Sequence, residues 1–280
     1  MTGAVFILGA GRAGRGLSRA LGAAGIDVAG LHGRRRAEKP DAITAGPLPP
    51  ASGAADVILV AVRDGQLDNA LGILAASRLR PAAVILHASG GAEPAGLEQL
   101  RAAGHPCGTF HPLVPLADPA RAAALLRGAW IGVDGDAAAV ATAEELAQRL
   151  GAHALRIPRG DKATYHAAAV FASNFATVLA AVAAELLTGI GVDAAEAWGA
   201  IAALMRGAVA NLEGTTAAAA LTGPIVRGDV ATVSAHLAAL RPDPAARRLY
   251  VALSTAAVEL ARQAGTSEET LGEISALLEA

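Results

Sequence analysis

AVFILGAGRAGRGLSRALGAAG, residues 4–25, decides the fold. A short apolar run, Ala4–Leu8, reads as a buried β-strand. It turns at Gly9-Ala10-Gly11-Arg12-Ala13-Gly14, and helical spacing follows from Arg12 to Ala24. The pattern is G-x-G-x-x-G with a strand before it and a helix after it, the setting that gives the motif its meaning. Gly9 permits a tight turn, Gly11 lets the backbone approach a pyrophosphate, and Gly14 lets helix and strand pack closely. The helix N-terminus adds unpaired N–H groups and positive dipole for the phosphates. Gly9, Ala10, Gly11, Arg12, Ala13 and Gly14 are therefore the candidate cofactor cradle.

The next strand, DVAGLH, ends where a ribose-reading side chain belongs. A site for NAD places Asp or Glu there, about 20 residues past the glycines. This chain has His32-Gly33-Arg34-Arg35-Arg36 instead. No carboxylate is available for a 2′-hydroxyl, and three guanidiniums stand ready for a 2′-phosphate, so the expected cofactor is NADP(H). A solvated basic loop is the plainer reading of the same residues.

Further strands are expected at 56–62, 82–89, 105–110, 129–133 and 151–158, with helices over Gln66–Ala76 and Ala137–Leu150. Strands alternating with helices imply an α/β fold, a doubly wound and mainly parallel sheet. Ligands bind such sheets beyond the carboxyl ends of the strands. AVRDG (61–65), HASGG (87–91) and FHPL (110–113) fall at those ends. They put Val62 beside the cofactor and His87, Ser89 and His111 near its reactive end as candidate substrate ligands. Each of the last three could equally cap a loop, and for His105, His153 and His236 the structural role is expected.

After RGD (159–161) no strand pattern returns. Long alanine-rich helices are expected at 162–188, 193–212, 229–240 and 243–264, with a short one from Ser267. The division is a dinucleotide-binding domain over 1–157 and an all-helical domain over 158–280, which holds substrate and dimerises. DKATYHAAAVFASNF (161–175) opens the second part with Asp161 as a plausible N-cap. Lys162 and His166 lie one turn apart on one helix face, and Ser173 lies two turns further with Asn174 at its flank. These four form a polar stripe on an otherwise apolar helix, expected to be buried within the domain or at a dimer interface. They are the candidate catalytic residues; a stripe of satisfied core polar groups is the bland alternative. Of the 23 basic residues only Lys39 and Lys162 are lysines. A retained lysine marks a place where a compact, titratable ammonium is wanted, although Lys39, beside RRRAE, reads as merely solvated.

The composition bounds the rest. A chain of 280 residues with 53% hydrophobic content can bury one large core or two ordinary ones. A formal charge of −2 offers no basic field for nucleic acid. One cysteine, Cys107, leaves no disulfide framework and no cysteine-rich metal site, and no metal is expected. The N-terminus lacks a signal-peptide pattern, which reads as cytoplasmic. Tyr165–Ile190 is long enough to span a bilayer, but His166, Ser173, Asn174 and Glu185 interrupt it, and no membrane span is expected.

ILGAGRAG, HASG, FHPL, DKATYHAAAVFASN and LTGPIVRGD together resemble the 6-phosphogluconate dehydrogenase-like superfamily. That group includes β-hydroxyacid dehydrogenases, ketopantoate reductase and pyrroline-5-carboxylate reductase. The nearer resemblance is to oxidoreductases with a Rossmann-like domain and a C-terminal domain of unknown function. The resemblance implies a Rossmann sheet followed by an all-α domain and NADP(H), while the apolar faces of the helical domain lead us to expect a homodimer. It also implies a small-molecule substrate reduced by hydride transfer: an oxo acid, with ketopantoate a candidate, or an imine. The same chemistry could run forward from a β-hydroxyacid. In β-hydroxyacid dehydrogenases the matching helix carries K-x-x-x-N with lysine as proton donor or acceptor; here Lys162 fits and His166 stands in the asparagine's place. Arg227, in LTGPIVRGD, would then meet a substrate carboxylate. A non-catalytic NADP(H)-binding redox sensor is the rival expectation.

Overall fold

In the computed structural model, which describes residues 3–280, seven strands form one sheet in the order β2-β1-β3-β4-β5-β6-β7. They are β1 (Val5–Leu8), β2 (Val28–His32), β3 (Val57–Val60), β4 (Val84–His87), β5 (Cys107–Pro112), β6 (Trp130–Gly135) and β7 (His153–Arg156). The pairs β1–β2, β1–β3, β3–β4, β4–β5 and β6–β7 are parallel, while β6 runs antiparallel to β5. All seven expected strands are present. The sequence did not disclose the reversal at β6.

Parallel strands covered on both faces read as continuous apolar runs, and alternate residues serve opposite faces. Val5, Ile7, Leu59, Leu86 and Phe110 join the core under the helices Arg12–Ala23 and Ala137–Arg149. Phe6, Leu8, Ile58, Val60, Ile85 and Cys107 join a second core under Leu67–Ala75 and Gly96–Ala102. Cys107 is a buried, unpaired thiol, pushed up to about 12 by burial.

The chain forms two compact units, one running to Asn174 and the other Phe175–Ala280. The boundary read from the sequence, 157/158, marks where strands end. The helix Lys162–Val170 that follows nevertheless packs with the sheet-bearing unit, for reasons given below.

The second unit is all-helical: Ala176–Gly189, Ala194–Ala210, Val230–Ala239, Pro244–Gln263 and Glu268–Glu279, with a short turn of helix at Ala217–Ala220. Four of the five longer helices start on side-chain caps, with Asp193 accepting from Ala195 and Glu196, Asp229 from Thr232, Asp243 from Ala245 and Ala246, and Ser267 from Thr270. Ile225, Val233, Leu237, Val258, Leu271, Ile274 and Leu278 make its core.

Two expectations about the helix from Lys162 need correction. Asp161 occupies the N-cap position, but its side chain caps nothing. The helix is also not buried within its domain: in the run Lys162–Gly189 (mean hydropathy 1.8) only 6% of the most apolar window is covered. By length and composition this run could cross a membrane. A π-helical turn, Phe171–Phe175, interrupts it. That wider turn holds Ser173 and Asn174, both exposed. The stripe therefore does not continue as a buried line from Lys162 to Ser173.

Candidate active site

The glycine turn behaves as its pattern demands. Gly9 has φ +121, and a Cβ there would stand 2.4 Å from the carbonyl oxygen of Ala61 at the end of β3. A Cβ on Gly14 would meet the carbonyl oxygen of Gly9 at 1.7 Å, so helix and turn touch through bare backbone. Gly11, by contrast, faces open space: nothing lies within 4 Å of where its Cβ would be. It is the N-cap of Arg12–Ala23 and supplies no side-chain cap, so the first-turn N–H groups keep their capacity for an anion. These features fit a dinucleotide pyrophosphate. Gly33, just past β2, abuts Ala10, where a Cβ would clash at 2.6 Å. Arg34, Arg35 and Arg36 thus leave the sheet beside the glycine turn, exposed.

The second cluster is built by strand register. Thr109 on β5 pairs with His87 on β4 and with Asp134 on β6, which puts the three in a row across one sheet face. Two residues along, His111 pairs with Gly132 and faces the same way. The helix Lys162–Val170 lies over both rows. Lys162 reaches the first, and Tyr165 reaches the second, over Gly132, where any Cβ would stand 2.1 Å from its hydroxyl.

Lys162, His87 and Thr109 are 3%, 1% and 1% exposed. The Lys162 amine donates to Thr109 Oγ1 at 2.7 Å and lies 3.3 Å from His87 Nε2, which is also 3.3 Å from Thr109 Oγ1. Burial pulls the Lys162 pKa below the usual lysine value, opposed by the charges of Asp134, Glu93 and Asp64. Burial, with Lys162 beside it, drives His87 down to about 3, so its imidazole is neutral. With the ammonium occupying one lone pair of Thr109, the threonine hydrogen is free for Nε2, which places the His87 hydrogen on Nδ1. That Nδ1 is buried and has no partner.

His111 Nδ1 lies 2.8 Å from the Tyr165 hydroxyl. Burial raises the phenol to about 12, against a backbone hydrogen bond from Gly132. The protonated phenol donates to Nδ1, which leaves the His111 hydrogen on Nε2. Burial, with His166 and Lys162 nearby, lowers His111 to about 4. The His111 and His166 rings meet edge to face, 5.9 Å apart. Both abut Gly90, where a Cβ would stand 2.8 Å from His111 Nε2 and from His166 Nδ1. His166 Nδ1, too, is buried and unpartnered.

The structure thus brings together Lys162, His87, His111 and His166, four of the residues singled out in the sequence. Ser89 is a loop cap, accepting from the Ala92 amide at 3.1 Å. Val62 follows β3, where its amide lies 2.9 Å from the Cβ position of Gly9. Arg227 is exposed, in the second unit. His105, His153 and His236 have structural partners: the Ala83 carbonyl, the Trp130 ring and the Tyr250 hydroxyl. Thr109, Tyr165, Gly90 and Asp134 were missed. The signal for Thr109 was its place two residues before His111 on a strand, obscured because the strand was ended at Phe110.

Residues 129–269 match the family model described as a domain of unknown function, DUF2520. No curated protein matches the chain in sequence. Among solved structures, a Thermotoga maritima protein is 23% identical with a TM-score of 0.71, over 92% of this chain and 98% of that one. A Bacteroides fragilis protein, proposed to be an NADP oxidoreductase, is 20% identical with a TM-score of 0.69, over 91% and 97%. Pyrroline carboxylate reductase of Plasmodium falciparum, solved with NADP bound, is 11% identical with a TM-score of 0.60, over 99% and 98%. At these identities the likeness is one of fold, a Rossmann-like sheet domain followed by a helical domain.

Proposed function

The chain belongs to the DUF2520 family, and from that premise we propose that it is an NADP(H)-dependent oxidoreductase of a small carbonyl or imine compound. The candidate substrates are oxo acids, ketopantoate among them, and cyclic or open imines. One observation carries the reading: a buried lysine, hydrogen-bonded at the carboxyl end of β4, on the same sheet edge as the glycine turn at the end of β1. Gly9–Gly14 would hold the pyrophosphate, Val62 would flank it, and Arg34–Arg36 would meet a 2′-phosphate.

Bound NADPH supplies a hydride. Reduction of C=O or C=N leaves negative charge on oxygen or nitrogen, which needs a proton or a fixed positive charge. Lys162 supplies it. Desolvation weakens its grip on the proton, while Asp134, Glu93 and Asp64 keep the charged form within reach. Thr109 holds the amine by accepting from it, and His87, its Nε2 lone pair taken by the Thr109 hydroxyl, titrates at about 3 and does not compete as a base. The Tyr165–His111 pair offers a neutral Nε2–H donor beside Gly90, and His166 offers a ring nitrogen at the same glycine. Reduction is the direction written; oxidation of a hydroxy acid uses the same groups in reverse.

The exposed apolar faces of Ala176–Gly189 and Ala194–Ala210 support a homodimer through the helical unit. A cytoplasmic location goes with this reading. The test is NADPH oxidation by purified protein against a panel of oxo acids and imines. Turnover of one member that needs Lys162 supports the proposal. NADPH binding with no turnover across the panel favours the non-catalytic sensor.

A further inference from the structure

A cavity of about 420 Å³ lies beside the Lys162 cluster. Lys162, His87 and Thr109 line it, together with Glu93, Asp134 and Arg159. Among the described residues, none of Gly9–Gly14, Gly90, His111 or His166 lines it. Lys162 thus stands between two surroundings: the imidazoles around Gly90, and a separate acid-lined cavity. The row His87–Thr109–Asp134 runs along the cavity floor by strand register. Arg101 is held at the wall by Glu98 and Asp136, and its charge is spent on them.

We propose that this cavity is a water-filled proton route to Lys162, with Asp134 and Glu93 as the carboxylates that order the water. The inference rests on Lys162 as the proton donor. A donor that has given its proton to the substrate oxygen or nitrogen is a neutral amine, and it must take one proton from solvent before the next turnover. Cofactor and substrate would fill the glycine-turn side, and a closed site of that kind excludes water. Lys162 lines the cavity, and the glycine turn does not. The balance is one proton from bulk water into the cavity, then to Nζ, for each proton lost to product.

Groups from several elements face Lys162, and the Arg159 cation also lines the cavity. His87 stands on β4 and is neutral, Thr109 and His111 stand on β5, and Asp134 on β6. Glu93 lies in the loop before Gly96–Ala102, Asp64 follows β3, and His166 is on its own helix. Of these, Asp134, Glu93 and Asp64 raise the affinity of Lys162 for a proton, and Asp134 and Glu93 also line the cavity.

The test exploits the two lysines. In protein labelled with 15N-lysine only Lys39 and Lys162 give side-chain signals, so hydrogen exchange at Lys162 Nζ with water is read directly, with Lys39 as internal control. Calorimetry first establishes NADP⁺ binding. With NADP⁺ bound, Lys162 should exchange about as fast as without it. Ala95→Trp, which fills the cavity mouth without changing charge, should slow exchange in the complex by roughly tenfold or more. Ala95→Ser should not. Ala95→Leu should slow it as well, to a smaller degree, and serves if the tryptophan variant fails to fold. Exchange that NADP⁺ alone suppresses, and that neither variant slows further, would overturn the route. Absent NADP⁺ binding, or full turnover by Lys162→Ala, would instead overturn the reading beneath it.

Discussion

Lys162→Ala should lower kcat far more than it changes NADPH affinity. Removing a general acid costs about 10²–10⁴-fold, so steady-state kinetics on any substrate found should show a loss above tenfold. Lys162→Arg should rescue poorly, because a guanidinium keeps charge but does not release a proton. Lys39→Ala, at the other lysine, should be neutral. His87 and His111 carry a separate expectation about pH. Both are held below the ordinary 6.5, at about 3 and about 4, by burial first. Below pH 6.5 the unfolded chain binds protons that the folded chain refuses, so stability falls as pH drops from 6.5 toward 4. Each histidine contributes about 1.4 kcal/mol per pH unit in that window. Thermal melts at pH 7 and pH 5 should differ by several degrees. Equal melting temperatures would mean that the two imidazoles are not buried as described.

At the scale of elements, Arg34→Ala with Arg35→Ala should erode the preference for NADPH over NADH while leaving NADH affinity nearly unchanged, as calorimetry would show. Tighter NADH binding by the wild type would remove the claim. The glycine turn was legible because its chemistry is local: Gly9 takes a positive φ and Gly14 abuts its carbonyl. The seven strands were legible for a similar reason, since fully buried parallel strands write themselves as runs such as VFIL and VILV. The helix Gly96–Ala102 was not, being a single short turn-rich stretch between Pro94 and Gly104. The helix from Lys162 was read half correctly. Its one-turn spacing did place Lys162 and His166 together, but Tyr165 between them was passed over as apolar. Its role depends on Gly132 of β6, and that pairing exists only because β6 runs antiparallel. Sequence spacing along one element cannot show what another strand brings beneath it. The π-helical turn is a further case, since no residue in FASNF announces it.

For the whole molecule, the unanswered surface is apolar. Ile190 is 78% and Leu204 70% exposed, with Trp198, Val209 and Leu212 also open on the helical unit. Exposed apolar area on this scale marks an interface. Light scattering at micromolar protein should therefore give the mass of a dimer, and Leu204→Glu should shift it toward monomer. A wild-type monomer free in solution would contradict that, whereas a protein recovered only with membranes would assign the same face to lipid. The central claim, hydride transfer to a small carbonyl or imine carbon, has one direct measurement. NADPH carrying deuterium on each face of its nicotinamide C4 in turn is incubated with the protein and each panel compound, and the products are weighed by mass spectrometry. A product with one carbon-bound deuterium from one face only, formed by the wild type and nearly lost in Lys162→Ala, is the result expected. NADPH bound tightly with no deuterium passed to any compound would contradict it.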